Sequence, residues 1–126
     1  MKTFGKKAMK LKLVLLLYVA SSGFAHAEAI TQQDYDQHIE HYTQVIKQTK
    51  VILDDPDSKA DAKMQSQALC DRLNAYDQIA QLSKENSQLE LAPMMLIVAQ
   101  TYLNKQQKSL TKSGMSTNVF CAGKIK

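Results

Sequence analysis

The feature that most restricts the fold of this chain is a long stretch without glycine. No glycine occurs between Glu28 and Ser113, and the only prolines are Pro56 and Pro93. Gln, Lys, Ala, Leu and Asp dominate the stretch. The tight turns of a β-sheet usually contain glycine or proline, whereas these residues favour helix. The sequence therefore predicts an all-α fold.

The first 27 residues have the order of a secretory signal peptide. A head with five lysines precedes the apolar run Leu13–Ala20, and Ala25–Ala27 has the small-x-small pattern of a cleavage site. The apolar run is too short for a membrane-spanning helix, which needs about 20 residues. Cleavage would leave residues 28–126 as one domain in a periplasm or outside the cell. Translation could start at Met1 or at Met9, with the same mature product.

The charge of the mature chain argues against bulk attraction to nucleic acid or anionic membranes. The full chain carries +4, but five of its 16 basic residues and none of its acids lie in the leader, which leaves −1. Residues 28–61 carry a net −5, and residues 91–126 carry five lysines and no acid. Either these two ends pack together and offset, or the second forms a basic face for an acidic partner.

Apolar spacing and capping residues predict three helices. The first is expected over 31–53, the second from near Ser58 to about Lys84, and the third over 93–113 with Gly114 as its terminating residue. The second has apolar residues over about half its circumference, so it is expected between the other two. The mature tyrosines fall on inward faces, with their hydroxyls expected at the rim of the core.

The two cysteines complete the predicted architecture. Cys70 and Cys121 are the only cysteines, and an exported chain meets an oxidising environment, so a disulfide between them is predicted. An intermolecular bond is the alternative. The sequence as a whole predicts a small three- to four-helix bundle with a disulfide-tethered C-terminal tail.

The third predicted helix begins apolar all round and becomes amphipathic halfway. Met95, Ala99 and Tyr102 lie on its expected core face. The opposite face carries the candidate partner-binding residues Met94, Ile97, Val98, Lys105 and Lys108. Either the tail around Val119-Phe120 or the N-terminal segment covers the apolar members, or they form an exposed patch for a partner.

A weak candidate for a metal site lies on the first helix. Asp34, His38 and His41 follow one another at i, i+4 and i+7, so they share one strip of the helix surface. Three ligands from one exposed helix rarely complete a metal site, so a solvated strip is favoured, and pH sensing is a further option. No metal or other cofactor is therefore expected.

The acidic cluster between the first two helices has only a superficial likeness to a calcium loop. It comprises Asp54, Asp55, Asp57 and Asp61. It lacks the central glycine and the final glutamate of an EF-hand loop. Helix capping and a solvated turn explain these residues adequately.

No motif in the sequence indicates catalysis, since a glycine-rich phosphate loop and a G-x-S-x-G turn are both missing. The leading hypothesis is a small secreted or periplasmic protein-binding protein of the inhibitor or immunity type, which masks another protein. The alternative is an acid- or stress-activated periplasmic chaperone, and a metal or small-ligand carrier is less favoured. The expected partner is another periplasmic or extracellular protein. Neither nucleic acid nor a membrane anchor is expected, and the sequence leaves the oligomeric state open.

Overall fold

A computed structural model of the chain describes residues 29–125 and shows an all-helical domain. Its elements are α1 (Gln32–Leu53), α2 (Ala62–Glu85), α3 (Ala92–Lys112) and α4 (Thr117–Phe120). No strand occurs within residues 29–125. The predicted fold class is thus confirmed, while the predicted signal peptide lies outside the described residues. No helix in the described range combines the length and apolar character that a membrane span requires.

The start of α1 agrees with the sequence prediction and the start of α2 does not. Thr31 caps α1 by accepting a hydrogen bond of 3.1 Å from the Asp34 amide. The predicted start of α2 near Ser58 is wrong, because Asp61 is the capping residue and accepts from the Met64 amide at 2.8 Å. The Ser58 hydroxyl instead accepts from the Ala60 amide at 3.4 Å, in the turn that precedes the helix.

The end of α3 confirms the role predicted for Gly114. This glycine has a φ of 75°, a left-handed conformation that favours glycine. Its amide donates to the Thr111 carbonyl, and the Met115 amide donates to the Leu110 carbonyl, both at 2.9 Å. This pair of bonds is the Schellman motif, which satisfies the last carbonyls of the helix and turns the chain back toward α2.

Helix α2 lies between the other long helices, as its broad apolar surface predicts. It packs against both α1 and α3, whereas α1 and α3 make little contact with each other. One core cluster joins Ile46 of α1, Ile79 of α2 and Ala99 of α3. The domain is therefore held together through its middle helix, and α3 has only one extensive helix partner.

The predicted disulfide between Cys70 and Cys121 is confirmed. Both sulfur-bearing side chains are buried, and Phe120 packs beside them together with Leu73. The bond places α4 and the following residues against α2, where the Gln67 side chain donates to the Lys124 carbonyl at 2.9 Å. The tail thus packs on the middle helix and includes one helical turn.

Arg72, the sole arginine of the chain, connects α2 to the C-terminal end of α1. From the middle of α2 its Nε donates to the Thr49 hydroxyl at 2.7 Å, and its two Nη atoms donate to the Asp54 carboxylate. Burial acts to lower the pKa of Arg72, but the Asp54 hydrogen bond and the nearby Tyr102 raise it overall. The guanidinium therefore stays charged and fixes the C-terminal end of α1 on α2.

The tyrosines contribute to the core in two different ways. Tyr76 and Tyr102 stack across the α2–α3 contact with their ring centroids 4.1 Å apart and an interplanar angle of 25°. Tyr35 is fully buried, and its hydroxyl shares a hydrogen bond of 2.8 Å with Ser83. The expectation that the hydroxyls lie at the rim of the core is therefore wrong for Tyr35, whose hydroxyl has a polar partner inside the core, and for Tyr102, whose hydroxyl is also buried.

Candidate protein-binding surface

One face of α3 is turned away from α2 along the length of the helix. We name it the outer stripe. At 100° per residue its members lie within an arc of about 120°. They are Leu91, Met94, Ile97, Val98, Thr101, Lys105, Lys108 and Lys112, all of them exposed. The candidate partner-binding residues of the sequence therefore lie together on one surface.

The first part of this stripe is apolar and open to solvent. The exposed fraction is 61% for Leu91, 52% for Met94, 65% for Ile97 and 47% for Val98. We call these four residues the apolar half. Single exposed apolar side chains are common on protein surfaces, but four neighbours on one helix face are more typical of an interaction surface.

The opposite face of α3 explains why residues 29–125 leave the apolar half exposed. Ala92 and Ala99 are fully buried, and Met95, Tyr102 and Leu103 pack in the two core clusters. This face already supplies the contacts of α3 with α2, as the sequence pattern predicts. The side chains of the apolar half therefore contribute little to the core of the domain.

The C-terminal tail does not cover the apolar half either. Phe120 packs with Cys70 and Leu73 on α2, and Val119 is itself 64% exposed. The expectation that the segment around Val119-Phe120 provides the cover is therefore wrong, while the alternative cover by the N-terminal segment lies largely outside the described residues. The Val119-Phe120 segment cannot reach the apolar half because the disulfide at Cys121 holds it against α2, beside Cys70.

The second part of the outer stripe is basic. Lys105, Lys108 and Lys112 are exposed, and we call them the basic half. The described residues 29–125 contain a single ion pair, Arg72–Asp54, so these lysines are not neutralised by acids of the N-terminal half. No ion pair within residues 29–125 joins the two charged ends, and α3, which carries three of the basic end's lysines, makes little contact with α1.

Leu91, at the start of the stripe, has a backbone conformation that leucine rarely adopts. Its φ is 66°, and it is the one residue other than glycine with a positive φ among residues 29–125. It occupies the cap position of α3 but makes no side-chain capping bond. For any residue with a Cβ, this left-handed backbone conformation is less stable by about 1–2 kcal/mol. Nothing in the sequence indicates this strained position.

The histidine strip of α1 is placed as its spacing predicts. Asp34, His38 and His41 are all exposed, and the His41 ring contacts the edge of Tyr42 with centroids 5.2 Å apart. No group of three or more His, Cys, Asp or Glu side chains within residues 29–125 is arranged to hold a metal ion. The strip is therefore a solvated surface of α1 in this structure.

The acidic cluster between α1 and α2 has local structural roles. Asp54 pairs with Arg72, Asp61 caps α2, and Asp55 accepts a hydrogen bond of 2.9 Å from the Asp57 amide. These bonds stabilise the turn in the manner of an Asx-turn and a helix cap. The capping and turn roles predicted for the cluster are confirmed, and the ion pair of Asp54 is an addition.

A groove between α1 and α2 is a feature that the sequence did not indicate. It has a volume of about 610 Å³, and its lining includes His41 and Val45 of α1, Asp71 of α2 and Lys124 of the tail. At the edge of the groove, the Gln67 side chain donates hydrogen bonds to the Asp71 carboxylate and to the Lys124 carbonyl. The groove is open to solvent and polar, so it does not provide the water-excluding site that most catalysis uses.

Comparison with known proteins adds no further constraint. The chain matches no protein-family model, and no curated protein or solved structure shows significant similarity to it. The functional interpretation therefore depends on the surface of this chain alone.

Proposed function

We propose that this chain is a small protein-binding protein that masks or inhibits another protein through the outer stripe of α3. The observation that carries the proposal is the exposure of the apolar half, whose side chains contribute little to the core formed by residues 29–125. Association with a partner removes such side chains from water, at about 25 cal/mol for each Å² buried. The lysines of the basic half add selectivity for an acidic partner.

The strained backbone at Leu91 is a second argument that the outer stripe is the binding surface. An exposed leucine at a left-handed position gains little from packing and carries a conformational cost. Glycine would occupy this position without strain. Strained residues that persist are concentrated at functional sites, so Leu91 fits a role as an apolar contact for the partner.

The expected setting of the protein is a periplasm or the extracellular space. The buried disulfide between Cys70 and Cys121 fits an oxidising compartment. The signal peptide proposed for residues 1–27 would deliver the chain there. The partner would then be another exported protein, bound without a cofactor.

The test is chemical crosslinking of the tagged protein in its own compartment, followed by affinity capture. Wild type is compared with Ile97→Lys and with Val51→Lys. Val51 is a matched control because it is 67% exposed on α1, against 65% for Ile97 on α3. Both variants should fold, since lysine has a helix propensity at least as high as that of either residue.

The proposal predicts one dominant partner that both wild type and Val51→Lys retain. With purified partner, Ile97→Lys should bind at least about tenfold more weakly, because a charge replaces an apolar contact. Equal binding by the two variants, or the lack of any dominant partner, would reject the proposal. Capture of many clients at acid pH only would instead favour the chaperone hypothesis.

A further inference from the structure

We propose that the segment docking on the outer stripe is an amphipathic helix of the partner, which runs antiparallel to α3 and carries acidic side chains in its first turns. This inference rests on the proposed function and specifies its partner. The stripe from Met94 to Lys112 is about 27 Å long at 1.5 Å per residue. A partner helix of about five turns would cover it.

The distribution of side chains along α3 determines what this partner must present. The apolar half occupies the first two turns and the basic half the last two, with Thr101 between them. A complementary segment therefore has apolar residues over Met94 to Val98 and carboxylates over Lys105 to Lys112. The spacing of three and four residues along the stripe matches the ridges of a second helix.

The helix dipole fixes the direction of the partner. Acidic side chains are stabilised at the N-terminus of a helix and destabilised at its C-terminus. Because the carboxylates must face the C-terminal half of α3, they are better stabilised if the partner helix begins there. The two helices are then antiparallel.

A second copy of this chain fits the stripe poorly in either direction. A parallel pair would place the basic halves against each other. An antiparallel pair in full overlap would place each apolar half over the lysines of the other copy. A shifted antiparallel pair that joins only the apolar halves would leave Lys105, Lys108 and Lys112 of both copies without acids. A different protein with acids of its own satisfies the whole stripe.

A membrane surface also fits the stripe poorly. A helix that lies in a bilayer interface has an apolar face along its whole length, with its charges on the polar face. On α3 the apolar and basic groups follow each other along the same face. Burial of this face in lipid would therefore place Lys105 and Lys108 in the apolar layer.

The experiment uses two labelled synthetic peptides of about 18 residues with the same amino-acid content. In the first, glutamates occupy the first two turns and leucines form an i, i+3, i+4 face in the remainder. The second has the reversed sequence, with the glutamates in the last two turns. The peptides are left unstapled, so that helix formation is part of binding, and circular dichroism measures the helicity of each free peptide. Fluorescence anisotropy then measures binding to residues 28–126 at low salt.

We expect the first peptide to bind about tenfold more tightly than the second, and salt to reduce this difference. The double variant Lys105→Glu/Lys108→Glu should lose roughly tenfold in affinity for the first peptide. It should regain part of that affinity for a peptide with lysines in place of the glutamates, because the helix dipole and the unchanged Lys112 still oppose that peptide. Lys47→Glu on α1, an exposed lysine outside the stripe, should leave the affinity unchanged.

Equal affinity for the two peptides, or no effect of the lysine reversals, would overturn the inference. Two other occupants are tested with the same protein. A dimer in sedimentation that Ile97→Lys dissociates, or Ile97-dependent binding to vesicles of phosphatidylglycerol and phosphatidylcholine, would also overturn it. The proposed function fails separately, when no captured protein depends on Ile97. A captured partner that binds through a loop or strand would reject the helix and leave the proposed function intact.

Discussion

Arg72 donates two hydrogen bonds, of 3.1 and 3.0 Å, to the two carboxylate oxygens of Asp54. The arginine side chain is 11% exposed and the aspartate side chain 48%. A third bond, of 2.7 Å, runs from the same guanidinium to Thr49. This fork geometry is specific to arginine, so the contact between α1 and α2 depends on the identity of the residue as well as on its charge.

We therefore expect Arg72→Lys to destabilise the domain by about 1–2 kcal/mol. A lysine can approach Asp54, but it cannot also bond Thr49 in the planar arrangement of the guanidinium. The free energy of unfolding in urea measures the effect. In a double-mutant cycle with Asp54→Asn the two losses should not add, because both remove the same pair. Full additivity would show that Arg72 acts through other contacts.

The Arg72 pair also shows where sequence reasoning ends. Helix periodicity and caps predict the extent of α1 and α3, the central place of α2 and the terminating role of Gly114, because these depend on local spacing. The partner of a lone arginine does not follow from spacing, since several aspartates are equally available in the sequence. The same holds for the exposure of Ile97, because periodicity identifies its face but not what covers that face.

Substitution by phenylalanine is expected to affect stability differently at the two tyrosines with buried hydroxyls, Tyr35 and Tyr102. Tyr35→Phe should destabilise the domain by about 1–2 kcal/mol, because it leaves the buried Ser83 hydroxyl without its bond. Tyr102→Phe should be neutral or stabilising. The Tyr102 hydroxyl is buried without a hydrogen bond among the described residues, although the Arg72 guanidinium lies nearby. Thermal unfolding of the two variants in parallel measures the contrast, and equal destabilisation would contradict it.

Tyr102 should also make the domain less stable at alkaline pH. Burial raises the pKa of its phenol above the ordinary 10.0, and the charge of Arg72 only partly opposes this shift. Above about pH 10 the unfolded chain releases the proton while the folded chain keeps it. The pH-dependent contribution of Tyr102 to the free energy of unfolding is separate from the cost of its unbonded hydroxyl. It is complete below about pH 10 and is lost as the pH rises through the raised pKa of the folded chain. The free energies of wild type and Tyr102→Phe, measured from pH 8 to 11, should diverge above about pH 10. Parallel curves would exclude this contribution.

The disulfide should supply a large part of the total stability. Cys70 and Cys121 are 51 residues apart, and closing a loop of this length in the unfolded chain corresponds to about 4 kcal/mol. Domains of this size have a total stability of about 5–15 kcal/mol. We expect Cys70→Ala/Cys121→Ala to lose about this amount in urea unfolding. Wild type unfolded with a reductant should approach the same midpoint. An unchanged midpoint would mean that the packing of Phe120 alone holds the tail on α2.

Leu91 provides a prediction in which stability and binding change in opposite directions. Leu91→Gly should stabilise the domain by about 0.5–1 kcal/mol, because glycine adopts a φ of 66° without strain and the leucine side chain is exposed. The same variant should bind the captured partner more weakly, because it loses an apolar contact of the outer stripe. Leu91→Ala is the matched control, since it removes most of the side chain and keeps the strain. It should weaken binding without the gain in stability. If Leu91→Gly destabilises the domain, the leucine has a structural role and its strain no longer supports the outer stripe as a binding surface.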